Sequence, residues 1–154
     1  MDQQVISKVV EKIVGEMGKP SMTLDMAKAL IGKIEERARQ MHLSVVIAVV
    51  DQSARPVAVH CMDDAYIASY DIALNKAFTS AGLKMSTAEL SKLSGPGQPL
   101  YGIQNTNEGK IVIFGGGEPL KRNEHIIGAL GVSGGTLEQD TYLAAYGKEV
   151  FRQI

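Results

Sequence analysis

The sequence predicts an α+β domain built on a mainly antiparallel sheet. Two short runs, Val45–Val50 and Ile126–Val132, are apolar apart from glycines, as strands covered on both faces are. Apolar residues recur at helical spacing over most of the remaining chain. The order is helix, helix, two strands, several helices, two or three strands, helix, which lacks the strict alternation of a parallel sheet. A chain of 154 residues is most simply one domain. At that size it buries roughly 70% of its unfolded surface, enough for an ordinary core.

Residues 1–18 read as a separate helical extension. Val5, Val9 and Ile13 follow one helical stripe, and Ile6, Val10, Val14 and Met17 widen it, before Gly18 and Pro20 end the helix. So wide an apolar arc needs a partner, either a second subunit or one edge of the domain that occupies residues 20–154. Thr23 is placed to cap a helix from Leu24 to about Met41. Leu24, Ala27, Leu30, Ile31, Ile34, Ala38 and Met41 form its inner face, and Lys28, Lys33, Glu36, Arg37 and Gln40 a solvated outer one.

Val45–Val50 and Pro56–Met62 are predicted strands joined by a hairpin turn over residues 51–55, with Asp51 bonding turn amides. Asp64 is predicted to cap a helix from Ala65 to about Leu83, with Ile67, Tyr70, Leu74, Ala77, Phe78 and Ala81 facing the core and Lys76 outside. Ser86 and Glu89 make a capping-box pattern before a short helix, Thr87–Leu93. Residues 95–99, with two glycines and two prolines, form a loop, and Tyr101–Gln104 a helical turn. Ile111–Phe114 is predicted as a strand, extended by Glu118–Lys121 or followed by it as a short edge segment. Ile126–Val132 is the last strand. Thr136 and Gln139 repeat the capping box before a final helix, Leu137 to about Gln153, with Leu143, Tyr146, Val150 and Ile154 inward.

Net charge is −1, with acids and bases interspersed and no tryptophan, which leaves nucleic-acid binding without support. No apolar run is long enough for a membrane span. Asp2, Glu11, Lys12 and Glu16 interrupt the first helix, unlike a signal peptide, so a cytoplasmic protein is expected. Cys61 is the only cysteine, which excludes an internal disulfide and a multi-cysteine zinc site. No Gly-x-Ser-x-Gly elbow, dinucleotide fingerprint or His-x-x-x-His pair occurs, and Gly115-Gly116-Gly117 lacks the lysine and hydroxyl of a phosphate loop. No catalytic or metal residue is therefore assigned, and the Asp63-Asp64 pair reads as a strand-end turn and helix cap.

Two features carry chemistry. The first is glycine. Gly95 and Gly97, then Gly115, Gly116 and Gly117, then Ser133, Gly134 and Gly135 form three loops that expose backbone amides to a ligand if they converge. Tight turns and close helix–sheet packing account for the same glycines. The second is His60-Cys61-Met62, each a residue type that ligates haem iron. His60 and Met62 share one strand face about 7 Å apart, so at most one is an axial ligand and the other axial position needs another segment or subunit. Cys61 and Met62 also serve as ordinary packing residues.

Several ordered blocks resemble the GlcG/HbpS family, which includes the carboxy-terminal domain of PduO-type adenosyltransferases. They are Val49-Val50-Asp51, Met62-Asp63 with Ala65, Ile72-Ala73 with Lys76-Ala77, and Pro96-Gly97 with Leu100-Tyr101-Gly102-Ile103. Gly115-Gly116-x-x-Pro119-Leu120, Gly128-Ala129-x-Gly131-Val132-Ser133-Gly134-Gly135 and Gln139-Asp140 complete the pattern, which runs from about Leu24 to Lys148. The resemblance implies a profilin-like, three-layer fold of about five strands with helices on both faces, and assembly into a homo-oligomer. It also implies a non-catalytic accessory protein that binds haem, another tetrapyrrole or a small anionic ligand, beside cobalamin-dependent diol or glycerol metabolism or glycolate metabolism. The adenosyltransferase half has no counterpart in these residues, so its activity is not implied. An enzyme acting on a small carboxylate or hydroxy compound in a glycine-lined pocket is the alternative, as is a purely structural subunit.

Overall fold

A computed structural model describes residues 2–18 and 20–154. The first helix, α1 (Gln3–Met17), starts where Asp2 Oδ1 accepts from the Gln4 amide and stops where the Gly18 amide donates to Val14 O. Residues 2–15 of α1 are all exposed. Residue 1 and the Met17 side chain, both assigned to this extension, lie outside the described residues.

Helix α2 (Leu24–Gln40) is capped by Thr23 Oγ1, which accepts from the Met26 amide. Its Leu30, Ile31 and Ile34 are fully buried, each contributing roughly 1.5–3 kcal/mol. Leu24, assigned inward, is exposed at the first position of the helix. Strands β1 (Val46–Asp51) and β2 (Pro56–Cys61) form the expected hairpin. Asp51 Oδ1 accepts from the Ser53 and Arg55 amides and so shapes the turn. Helices α3 (Ser69–Leu83) and α4 (Thr87–Ser94) follow, then two 3₁₀ turns at Ile103–Asn105 and Asn107–Gly109. Strands β3 (Gly117–Arg122) and β4 (His125–Ser133) lead to α5 (Leu137–Phe151). Both predicted capping boxes, Ser86/Glu89 and Thr136/Gln139, are formed.

The sheet has four strands in the order β2-β1-β4-β3, all neighbours antiparallel, with Val46 opposite Ser133 and Asp51 opposite Gly128. Strand periodicity splits β1 between two cores. Ile47 and Val49 pack with α2 and α5, while Val46, Ala48 and Val50 pack with Ala73, Ala77 and Ala81 of α3. The result is three layers: α2 and α5, the sheet, and α3.

Three expectations are corrected. Ile111–Phe114 is not a strand: the Val112 amide donates to Thr79 Oγ1 instead of to a ladder, so four strands replace five. The strand starts only at Gly117, and Pro119 is tolerated because β3 is an edge with one neighbour. Helix α3 begins at Ser69, not Ala65, and Asp64 does not cap it; Ala68 holds that position without a side-chain bond. Ile67, assigned to the core, is 97% exposed, and Tyr70 is exposed as well. The cause is the closeness of α3 to β4. A Cβ on Gly131 would lie 2.0 Å from Ala73 O, so only small residues fit that helix face. Finally, Lys76, expected on the surface, is 1% exposed.

Candidate functional site

Two concavities gather the singled-out residues. The larger, about 530 Å³, lies between α2 and β2 and is lined by Glu35, Arg39, Ser44, His60, Cys61, Met62 and Asp63. His60 sits near the end of edge strand β2, and its side chain is 45% exposed. Its Nδ1 lies 2.6 Å from Glu35 Oε1 on α2. The other carboxylate oxygen of Glu35 accepts from Arg39, 3.4 Å away. A ring nitrogen held by a carboxylate orients the imidazole and leaves Nε2 as the nitrogen available to a ligand. Met62 lies just past β2, donates its amide to Val45 O, and packs against the α2/α5 core. Cys61 is an exposed free thiol. Among the described residues, no group of three or more His, Cys, Asp or Glu is arranged to hold a metal ion.

The second concavity, about 330 Å³, opens between the start of α3 and the start of α5. Ser133, Gly134 and Gly135 line it, but the Gly134 and Gly135 amides do not point free into it. The Gly135 amide donates to Asp140 Oδ1 at 2.8 Å and the Gly134 amide to Asp140 Oδ2 at 3.4 Å. Asp140 Oδ2 also accepts from Lys76 Nζ at 3.1 Å, and Lys76 Nζ donates to Val132 O at 2.7 Å. Burial pushes the Lys76 ammonium below the ordinary lysine range, and the Asp140 carboxylate opposes that fall.

Gly115, Gly116 and Gly117 reach the same buried pair from the other side. Gly116 has φ +120°, and a Cβ there would lie 2.5 Å from Lys76 Nζ. Gly115 and Gly117 are equally tight, against Thr141 and against Lys76 O. These glycines let a loop pass over the lysine, with Phe114 stacked 5.2 Å from its Nζ. Two of the three loops thus meet at Lys76 and Asp140. Gly95 and Gly97 lie after α4 with open space where a Cβ would stand, and they line neither cavity.

Glu35 and Arg39 were not singled out from sequence, and Asp140 appeared there only within the Gln139-Asp140 block of the family pattern. Lys76 carried a readable signal: it falls among Ala73, Ala77 and Ser80, the small-residue stripe of α3. Glu35 carried none, because its meeting with His60 depends on how α2 crosses β2.

Residues 22–149 match the family model described as "Haem degrading protein HbpS-like". The chain belongs to the HbpS-like family. It is 43% identical over 134 residues to an uncharacterized 15.0 kDa protein in the dhaT-dhaS intergenic region of Citrobacter freundii, covering 87% of this chain and 94% of that protein. It is 42% identical over 109 residues to the corrinoid adenosyltransferase PduO of Salmonella typhimurium, covering 71% of this chain but only 32% of that protein. The crystal structure of a PduOC:heme complex superposes with a TM-score of 0.81 at 36% identity, covering 84% of this chain and 94% of the other. The HbpS-like domain accounts for α2 through most of α5, and α1 precedes the matched residues. No helix among the described residues is long and apolar enough to cross a membrane.

Proposed function

We propose that this HbpS-like chain is a non-catalytic accessory protein that binds haem or a related tetrapyrrole, with His60 as the axial ligand. The observation that carries this is the 2.6 Å contact between His60 Nδ1 and Glu35 Oε1 in the larger cavity. The residues there fit the group in three respects. Glu35 holds one ring nitrogen and leaves Nε2 for iron. Arg39 supplies a cation for a propionate. The cavity, about 530 Å³, falls within the range of ligand pockets. Bound haem would supply an iron centre whose reactivity the axial donor tunes. Met62 is the weaker candidate, because it packs into the core. The solved haem complex of a 36% identical relative supports the reading.

The corrinoid adenosyltransferase among its relatives supports a place beside corrinoid-dependent metabolism, and the family resemblance extends the reading to diol, glycerol or glycolate utilisation. We further infer a homo-oligomer in which α1 seats on a second copy. Val5, Val9 and Ile13, with Ile6, Val10 and Val14 on the adjoining stripe, form an exposed apolar face along α1.

The test is titration of haemin into wild type, His60→Ala and Glu35→Gln, read in the Soret region. Wild type is expected to give a band that His60→Ala loses and Glu35→Gln weakens, in line with the roughly 10–100-fold cost of losing an outer-shell partner. Identical spectra for wild type and His60→Ala would remove His60, and no band in wild type would remove haem.

A further inference from the structure

The smaller cavity has a composition that the tetrapyrrole reading does not use. Its floor is polar and deeply buried: Ser69 and Ser133 are 3% and 4% exposed. Their hydroxyl oxygens lie 3.1 Å apart. A pair of hydroxyls holds two hydrogens and spends only one on the bond between them. Among the described residues the second hydrogen has no acceptor, so the floor offers one free O–H donor to the cavity.

The remaining polar group of the floor, Asp140, is already committed. Its carboxylate accepts from Lys76 and from the Gly134 and Gly135 amides. Lys76 and Asp140 balance each other in charge, so no unpaired cation awaits an anionic ligand. Glu138, in the first turn of α5, opposes one further.

The walls are apolar and incompletely covered. Tyr66, Phe114 and Leu137 come from three separate segments, and all three line the opening while remaining exposed to water. Apolar side chains gathered around one concavity with a polar floor are the usual make-up of a small-molecule site. The volume, about 330 Å³, lies at the small end of the ~300–1,000 Å³ range of such sites.

We propose that this cavity is a second binding site, for a small uncharged molecule carrying one carbonyl or hydroxyl oxygen on an apolar body. The oxygen accepts from the Ser69–Ser133 pair, and the body lies against Phe114, Leu137 and Tyr66. The site stands independently of haem, because it shares no residue with the cavity at His60.

The experiment titrates benzyl alcohol, toluene and benzoate, probes of similar size, into the full chain while the backbone amides of Ser69, Gly134 and Gly135 are followed by NMR. Benzyl alcohol is expected to shift them saturably. Toluene, lacking the acceptor, binds roughly three- to tenfold more weakly, and benzoate at least about tenfold more weakly, because its charge is buried unpaired. Ala68 is exposed beside the opening, so Ala68→Trp fills the cavity without disturbing the core and is expected to abolish the shifts. The double variant Ser69→Ala/Ser133→Ala is expected to bind benzyl alcohol no better than toluene. The proposal is overturned if benzyl alcohol gives no saturable shift in wild type, if Ala68→Trp binds as wild type does, if benzoate binds as tightly as the alcohol, or if the double variant keeps the preference for the alcohol.

Discussion

Lys76 Nζ lies 3.1 Å from Asp140 Oδ2, and the two side chains are 1% and 8% exposed. This pair ties the middle of α3 to the first turn of α5, and through Val132 O to the end of β4. A buried ion pair is costly to break from one side, since the surviving charge is left without a partner.

Asp140→Ala is therefore expected to cost about 3–5 kcal/mol of stability, measured by urea unfolding. It strands the Lys76 ammonium and also releases the Gly134 and Gly135 amides. Lys76→Met fills the same space with an apolar chain and leaves Asp140 its two amide donors, so it should be much the milder change. Equal losses for both would show that loss of the pair itself, common to the two variants, outweighs the stranded ammonium and the released amides.

The same lysine makes stability depend on alkaline pH. Its pKa in the folded state lies below the ordinary value of 10.5, chiefly because burial disfavours the charged form. Between the folded and unfolded pKa the unfolded chain binds more protons, so stability rises with pH through that window. Below the window both states are protonated and the burial penalty is present in full. The urea midpoint of wild type relative to Lys76→Met should increase as pH approaches 10.5; a flat or falling difference would contradict the buried-lysine assignment.

Gly134→Val tests folding rather than ligand access. Gly134 has φ +144°, and a Cβ there would lie 2.6 Å from Ser44 O, a backbone atom. The variant is expected to lose cooperative unfolding or a large part of its stability, seen in circular dichroism melts. A wild-type melt would mean that the turn can re-form with a side chain.

For assembly, the test is sedimentation of wild type beside Val9→Lys/Ile13→Lys. Both substituted residues lie on the exposed apolar face of α1. Wild type is expected above monomer mass at micromolar concentration and the variant below wild type. A monomeric wild type would remove the oligomer, and an unchanged variant would remove α1 from its interface.

What was legible from sequence was mostly local. Thr136 and Gln139 announce their capping box because both partners lie within one turn. Val45–Val50 announces cover on both faces because no polar residue interrupts it. The start of α3 was misplaced for a tertiary reason: the approach of Gly131 to Ala73 O decides which face of the helix is inside, and that face carries alanine, serine and a lysine instead of the bulky residues. His60 was visible as a donor type, but Glu35 was not, since twenty-five positions and a change of layer separate them. The Gly134–Gly135 turn was visible too, whereas the capture of its amides by Asp140 follows from where α5 lies.

The central pairing of β1 with β4 also governs the order in which this chain can fold. The hairpins β1–β2 and β3–β4 close locally, but Val46 must find Ser133 across most of the domain before the smaller cavity has two walls. Loop closure of that length delays such contacts and slows folding relative to a helical bundle of equal size. A nascent chain still lacking β4 and α5 therefore has His60 and Glu35 in hand, yet no partner for Lys76 and no Ser133 for Ser69. The floor of the smaller cavity is complete only once β4 and α5 have been made, and a fragment ending before residue 125 would carry a lysine without its Asp140 partner in place of a site.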